Sequence, residues 1–172
     1  FHREDCPLGA AHRRVLRAEL RADRDLPPFD RVTLDGFALR AAAVAAGTRV
    51  FRVGGLQAAG MRAFKLGAAD DACIEVMTGA VVPEGADCFV PYEETQREGT
   101  NVTLSAAAAQ SAAGQAIHRS GSDHRAGEVM VRPGTRLSGR EIAVAAACGY
   151  GVVTVSQLPK IAVVATGDEL VE

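Results

Sequence analysis

The chain has 172 residues, with 19 Lys and Arg against 21 Asp and Glu, a net charge of −2, and 48% apolar and 23% charged residues. Those proportions describe a globular chain with material for one ordinary core or two small ones. They exclude the basic field that nucleic-acid binding needs, and with 5% aromatics and no Trp there is no base-stacking platform either. No run of about 18 uncharged apolar residues is present to span a membrane. No signal peptide is visible, and Cys6, Cys73, Cys88 and Cys148 show neither a C-x-x-C pair nor metal-finger spacing. Separate thiols in a reducing, cytoplasmic compartment are the expectation.

In chain order, the segment from Pro7 to Leu20 admits two readings. Ala11, Val15 and Ala18 would share a helix face, while the alternation from Val15 to Leu20 also permits a strand. Pro27-Pro28 then forces an extended or turning chain. Asp35-Gly36 reads as a turn, because Gly tolerates positive φ and Asp bonds its own backbone. Ala41 to Ala46 reads as a short helix or loop. Short β segments follow: Val50 to Val53, stopped by Gly54-Gly55; Ala72 to Met77, closed by Thr78-Gly79; Asp87 to Tyr92; and Asn101 to Leu104. Turn signals at Gly67, Pro83-Glu84-Gly85 and Arg97-Glu98-Gly99 separate them, which suggests a sandwich or barrel-like module. The alanine tract from Ala106 to Ala113 suits a helix or a loop.

A turn at Ser120-Gly121-Ser122-Asp123 precedes a strand over Gly127 to Val131. Ser138 and Glu141 have capping-box spacing, so a helix is expected from there to Cys148, with Gly149 as its stop. Val152 to Val155 reads as a strand. Ile161 to Ala165 is apolar without alternation, as in a parallel strand buried on both faces, and Thr166-Gly167-Asp168-Glu169 would lie at its ligand-binding end. A parallel strand needs a neighbour and a crossover. The start at Phe1 without Met and the stop just past this turn lead us to expect a piece of a longer protein.

No phosphate-loop, dinucleotide, G-x-S-x-G or H-E-x-x-H motif occurs, and His2, His12, His118 and His124 sit in polar sequence as ordinary surface residues do. What accumulates is hydroxyl or carboxylate residues beside glycine: Asp35-Gly36, Thr78-Gly79, Gly121-Ser122-Asp123 and Thr166 to Glu169. Glycine lets backbone N–H groups approach an anion, and carboxylates suit Mg²⁺. Such a set fits an oxyanion or phosphate substrate with a hard cation.

The order of these motifs resembles the N-terminal part of the molybdopterin molybdenumtransferase (MoeA) family, to which the E domain of gephyrin is related. The resemblance rests on Asp25-Leu26-Pro27-Pro28-Phe29-Asp30, Leu34-Asp35-Gly36-Phe37-Ala38, Ile74 to Ala80, and Pro83-Glu84-Gly85-Ala86-Asp87. It continues through Gly121-Ser122-Asp123, Ala126-Gly127-Glu128, Pro133 to Leu137, Pro159 to Val163 and Thr166 to Leu170. It implies a mixed α+β, mostly β fold: an elongated first domain (1–28 and 120–158), a β-rich second domain (29–119), and from 159 the first strand of an α/β molybdopterin-binding domain.

The implied activity is insertion of molybdenum from molybdate into adenylylated molybdopterin, with Mg²⁺ as cofactor and AMP released, by an elongated homodimer. The implied active-site residues are Asp35, Thr78, Asp123 and Glu169. Thr166, Gly167 and Asp168 would bind the cofactor, and Asp168 and Glu169 the metal. Carboxylates would hold the cation or position molybdate, and Thr78 would donate to an oxyanion. Two departures stand out. Arg31-Val32 replaces the family's usual Asn-Ser, and Phe37 replaces Tyr. A piece of this kind is expected to be inactive alone. The alternatives are a non-catalytic dimerisation or interaction scaffold of the same fold and, more generically, a Mg²⁺-dependent phosphohydrolase. No nucleic acid and no membrane are expected as partners.

Overall fold

The computed structural model describes residues 2–164. In chain order the strands are β1 (Arg3–Pro7), β2 (Leu20–Arg21), β3 (Arg31–Val32), β4 (Gly36–Leu39), β5 (Val50–Gln57) and β6 (Ala72–Val76). After these come β7 (Cys88–Pro91), β8 (Thr95–Glu98), β9 (Asn101–Leu104), β10 (Ile117–His118), β11 (Val129–Val131) and β12 (Val152–Ser156). Two α-helices, α1 (Ala41–Ala45) and α2 (Gly139–Ala147), accompany them. The chain divides into two compact units, one from 1–23 and 127–172 and the other from 24–126.

In the first unit, β1 pairs antiparallel with β12 from Arg3↔Ser156 to Pro7↔Val152. β2 pairs with β11. Between Pro7 and Leu20 the chain is not an α-helix: isolated bridges tie Val15 to Arg136 and Leu16 to Val155. Leu16 and Leu20 are buried with Cys6, Ala11, Leu137, Ala145, Val153 and Val155. Strand β1 carries little apolar pattern because only Cys6 among its residues is buried.

Helix α2 starts where the capping box places it. The Ser138 hydroxyl accepts from the Arg140 N–H, and the Glu141 carboxylate accepts from the Ser138 N–H at 2.9 Å and from its hydroxyl. Gly149 follows the helix at φ 78°. The Ser138 hydroxyl, then the Ser138 N–H, then Arg140 hold the Glu141 carboxyl down at about 2 from a usual 4.5. A lowered folded-state value stabilises the fold fully above the unfolded value of 4.5 and loses that contribution as pH falls toward 2. Ser138→Ala is expected to cost about 1 kcal/mol. Urea unfolding followed at Tyr150, whose hydroxyl accepts from the Arg21 N–H in the same unit, checks it. The gap between variant and parent should narrow between pH 4.5 and 2.

The second unit is built on one six-stranded mixed sheet in the order β7-β4-β6-β5-β9-β8. It is a single sheet with β7 and β8 at its edges, where the spacing of turns suggested a sandwich or barrel. Only β5 and β6 run parallel. Both faces are apolar. Phe37, Leu39, Phe51, Cys73, Cys88, Val90 and Val102 pack on one side with α1, and Ala38, Ile74, Val76 and Phe89 pack on the other with Val32, Leu66 and Ala80. Strand β4 is buried throughout because neighbours flank it on both edges and both faces.

Several local expectations are corrected. Strand β5 runs on through Gly54-Gly55, which fall at a register irregularity between Val53 and Leu56 rather than ending the strand. The turn expected at Arg97-Glu98-Gly99 falls at Gly99, which has φ 61°, while Arg97 and Glu98 belong to β8, where pairing with β9 supplies their hydrogen bonds. The alanine tract holds only a 3-10 turn, Ala108–Gln110. Ile161, Val163 and Val164 are 80%, 92% and 78% exposed and lie in no strand. A strand of that kind exists only beside a hydrogen-bonded neighbour, and no described residue supplies one. All four cysteines are reduced and buried, and burial pushes the Cys73 and Cys88 thiols up to about 12 and 11. Among the described residues, no helix is long and apolar enough to cross a membrane.

Candidate functional site

The site assembles on β3, which is flanked on both sides. On one side β10 pairs with it in the register Arg31↔His118 and Val32↔Ile117. On the other, the Val32 N–H donates to the Ala80 carbonyl and the Gly79 N–H donates to the Val32 carbonyl, each at 3.0 Å. That draws the Thr78–Ala80 turn against β3. Gly79 sits at φ 82°, a conformation a side chain would strain, so the turn depends on glycine there. Buried Gln57 holds the base of the turn: its carbonyl accepts from the Met77 N–H, and its side chain donates to the Val81 carbonyl.

Asp35 lies just before β4. Its Oδ1 accepts two hydrogen bonds from Thr78, from the backbone N–H and from the hydroxyl, both at 2.7 Å. These bonds, the backbone one first, hold its carboxyl below the usual 3.8, so it is ionised at neutral pH. Oδ2 accepts no hydrogen bond from any described residue, and Asp35 is exposed, so one carboxylate oxygen stays open. Thr78 gives both its donors to Asp35 here and so fixes that carboxylate.

Asp123 is clamped from the opposite side of the unit's chain. Its N–H donates to the Leu26 carbonyl at 2.9 Å and the Gly121 N–H donates to the Pro27 carbonyl at 3.0 Å. Asp30 secures the same loop, accepting from the Ser120 N–H at 2.8 Å and pairing with Arg119 at 2.5 Å. Those two partners, the Ser120 N–H first, lower the Asp30 carboxyl from its usual 3.8. The Asp123 carboxylate bonds His118 Nε2 at 2.8 Å, and His118 Nδ1 lies 3.3 Å from an Arg31 Nη2.

A pocket of ≈ 240 Å³ is lined by Arg31, Val32, Thr33, Thr78, Gly79 and His118. It falls below the roughly 300–1,000 Å³ of drug-sized sites and suits a small ion or one group of a larger ligand. The structure thus brings Asp35 and Thr78 into contact, and Asp123 reaches the pocket only by way of His118. Thr166, Gly167, Asp168 and Glu169 lie outside the described residues. The sequence marks Arg31 only as a departure from the family's usual Asn and His118 only as a surface histidine, and neither as a site residue. Each sits in a two-residue strand too short to show a pattern, and only the cross-strand register joins them.

A family model described as the MoeA N-terminal region, domains I and II, matches residues 1–149. The chain belongs to this family. A molybdopterin molybdenumtransferase of Synechocystis is 38% identical over 96% of this chain and 42% of its own length. One from Bacillus subtilis is 36% identical over 91% of this chain and 37% of its own. A crystal structure of the molybdopterin biosynthesis protein MoeA from Pyrococcus horikoshii superimposes at TM-score 0.78, with 33% identity over 90% of this chain and 41% of that one. This MoeA-family chain therefore spans about two fifths of the length of the relatives it matches. Its mostly β fold is that of the family's N-terminal region. Of the departures from the family pattern, Val32 (1% exposed) and Phe37 (0% exposed, its ring edge-on to Tyr92) fall in the core, while Arg31 lines the pocket.

Proposed function

We propose that this chain is the N-terminal part of a molybdenum-cofactor biosynthetic enzyme that inserts molybdenum from molybdate into adenylylated molybdopterin with release of AMP. The observation that carries the reading is the Asp35–Thr78 clamp in a chain of this family. An ionised carboxylate is held rigid through one oxygen and left open at the other, beside a pocket of anion size. Such a group positions a cation or a cation-bound substrate without reorganising.

Mg²⁺ fits this donor set in part. Among the described residues no three His, Cys, Asp or Glu side chains converge on one point. Mg²⁺ keeps several waters and takes one or two carboxylates plus substrate oxygens, so Asp35 Oδ2 suffices as one protein ligand. Asp168 and Glu169 are the further ligands we assign, with Thr166 and Gly167 contacting the substrate. When bound, the ion neutralises charge on the adenylate phosphate that is cleaved. The chain's own share is to fix Asp35 through Thr78 and to hold Asp123 on its loop. A homodimer completes the reading, with a second subunit contributing to each site.

The test is AMP release and cofactor formation by the full-length protein given adenylylated molybdopterin, molybdate and Mg²⁺. Both products are expected, and both should vanish with chelation. The 172-residue chain alone is expected to give neither. Absence of both products from the full-length protein would overturn the reading. Unimpaired cofactor synthesis in cells carrying Asp35→Ala with Asp123→Ala would favour the non-catalytic scaffold.

A further inference from the structure

The pocket beside Thr78 has one group with donors left to give. Thr78 spends its N–H and hydroxyl on Asp35, Gly79 spends its N–H on Val32, and Thr33 spends its hydroxyl on the Ala116 carbonyl. His118 Nε2 is bonded to Asp123. Arg31 is different. Its guanidinium makes one side-chain hydrogen bond, from Nη2 to His118, and no ion pair with any described residue. Nε and Nη1 have no side-chain or backbone acceptor among the described residues. A half-buried cation without a carboxylate partner is uncommon, because burial costs charge solvation that a counter-ion normally restores.

The hydrogen bonds also define one protonation pattern. Arginine has donors only, so His118 Nδ1 is the acceptor in the Arg31 bond. In the neutral ring Nε2 then carries the proton and donates to Asp123. Asp123, held by the Leu26 carbonyl, thereby sets His118, and His118 sets the Arg31 guanidinium. Cross-strand pairing of Arg31 with His118 puts both side chains on one face of the β3–β10 ribbon. A guanidinium held by such a relay has little rotamer freedom left to lose on binding an anion.

We propose that Arg31, oriented by His118 and Asp123, is the oxyanion-binding side chain of this pocket. Its ligand class is a small tetrahedral oxyanion, either free molybdate or the phosphoryl group of a nucleotide-bearing substrate. The proposal rests on the functional reading above. It also assigns the charge of this subsite to a residue at which this chain departs from the family's usual Asn. His118 and Asp123 are positioning residues, acting through Arg31.

The experiment is equilibrium binding of inorganic molybdate and, separately, of AMP to the full-length protein, with thermal unfolding of every variant as the folding control. Arg31→Ala is expected to weaken at least one of the two anions about tenfold or more, the loss of a charged hydrogen-bonding group. Loss for molybdate alone identifies the free oxyanion as ligand, and loss for AMP alone identifies the phosphoryl group. His118→Ala should weaken the same anion less. His118→Gln, which can accept from Arg31 and donate to Asp123, should restore most of it. The ¹⁵N spectrum of His118 should show the proton on Nε2. Folded Arg31→Ala that binds both anions with unchanged affinity overturns the proposal, and His118→Ala without effect overturns the relay. If full-length protein inserts molybdenum while Arg31→Ala binds normally, only this inference fails. If Arg31 governs anion binding but no cofactor forms, the functional reading fails and the subsite stands.

Discussion

Gly36→Ala is expected to destabilise the second unit by about 3 kcal/mol or more, enough to threaten its folding altogether. Strand β4 is flanked by β6 and β7, and Gly36 pairs with Val76 on one side and Pro91 on the other. A Cβ there would stand 2.2 Å from the Val90 carbonyl oxygen, 2.8 Å from Pro91 Cα and 2.9 Å from the Phe89 ring. Two of these three atoms are backbone and cannot swing aside. Relief requires β7 to move from β4, breaking pairing that continues through Leu39↔Cys88. Asp35 precedes Gly36, and its carbonyl accepts from the Tyr92 N–H at 3.1 Å, so the site would shift with the strand. The chain has two tyrosines, Tyr92 in this unit and Tyr150 in the other. Loss of the Tyr92 near-ultraviolet signal with that of Tyr150 kept is the expected signature. A variant with parental urea unfolding at Tyr92 would show that β7 yields and that the close approach is dispensable.

Asp35→Ala is expected to lower kcat/KM for AMP release by the full-length protein about 10²–10³-fold, the scale for removing a preorganised charged group. The change takes away the open carboxylate oxygen and leaves both Thr78 donors without their acceptor. Asp35→Asn separates these effects, since an amide oxygen can still accept from Thr78 but carries no charge. It should unfold like the parent and be nearly as inactive as the alanine variant. An asparagine variant with parental kcat/KM would show that Asp35 is structural only. The pH dependence has a definite sign. The Thr78 bonds put the folded-state carboxyl below its usual 3.8, so its stabilising share is complete above 3.8 and is lost as pH falls through the lower folded value. No acid limb above 3.8 should trace to this group.

Much of the fold could be read along the chain, and the failures share a cause. The Ser138–Glu141 box and Gly149 bounded α2 because capping is satisfied within one turn. Strands β6, β7, β9 and β12 were visible because each is a run of apolar or β-branched residues between turn signals. Asp35-Gly36 looked like a turn on equally local grounds, yet Gly36 opens a fully buried strand. Its glycine answers the approach of β7, not a positive φ. Strand β1 escaped notice because edge pairing with β12 satisfies a largely polar segment.

The candidate site divides along the same line. Asp35 and Thr78 stood out as a carboxylate and a hydroxyl beside glycine within a resembling motif order. That Thr78 would give both donors to Asp35 was not legible, since the two are 43 positions apart. Arg31 stood out only as a departure from the family's usual Asn and His118 only as an ordinary surface histidine, and the pairing of β3 with β10 joins these two residues, 87 positions apart.

By itself, then, the sequence determined the family, the mostly β class and the helix bounds. Those depend on residue order, on alternation and on hydrogen bonds closed within a few positions. Only the tertiary structure decided which glycine is irreplaceable, which donors Thr78 has left and which cation faces the pocket. Each of these depends on hydrogen-bond capacity spent or kept between distant segments, and a donor's commitments are settled only when its partners arrive in space.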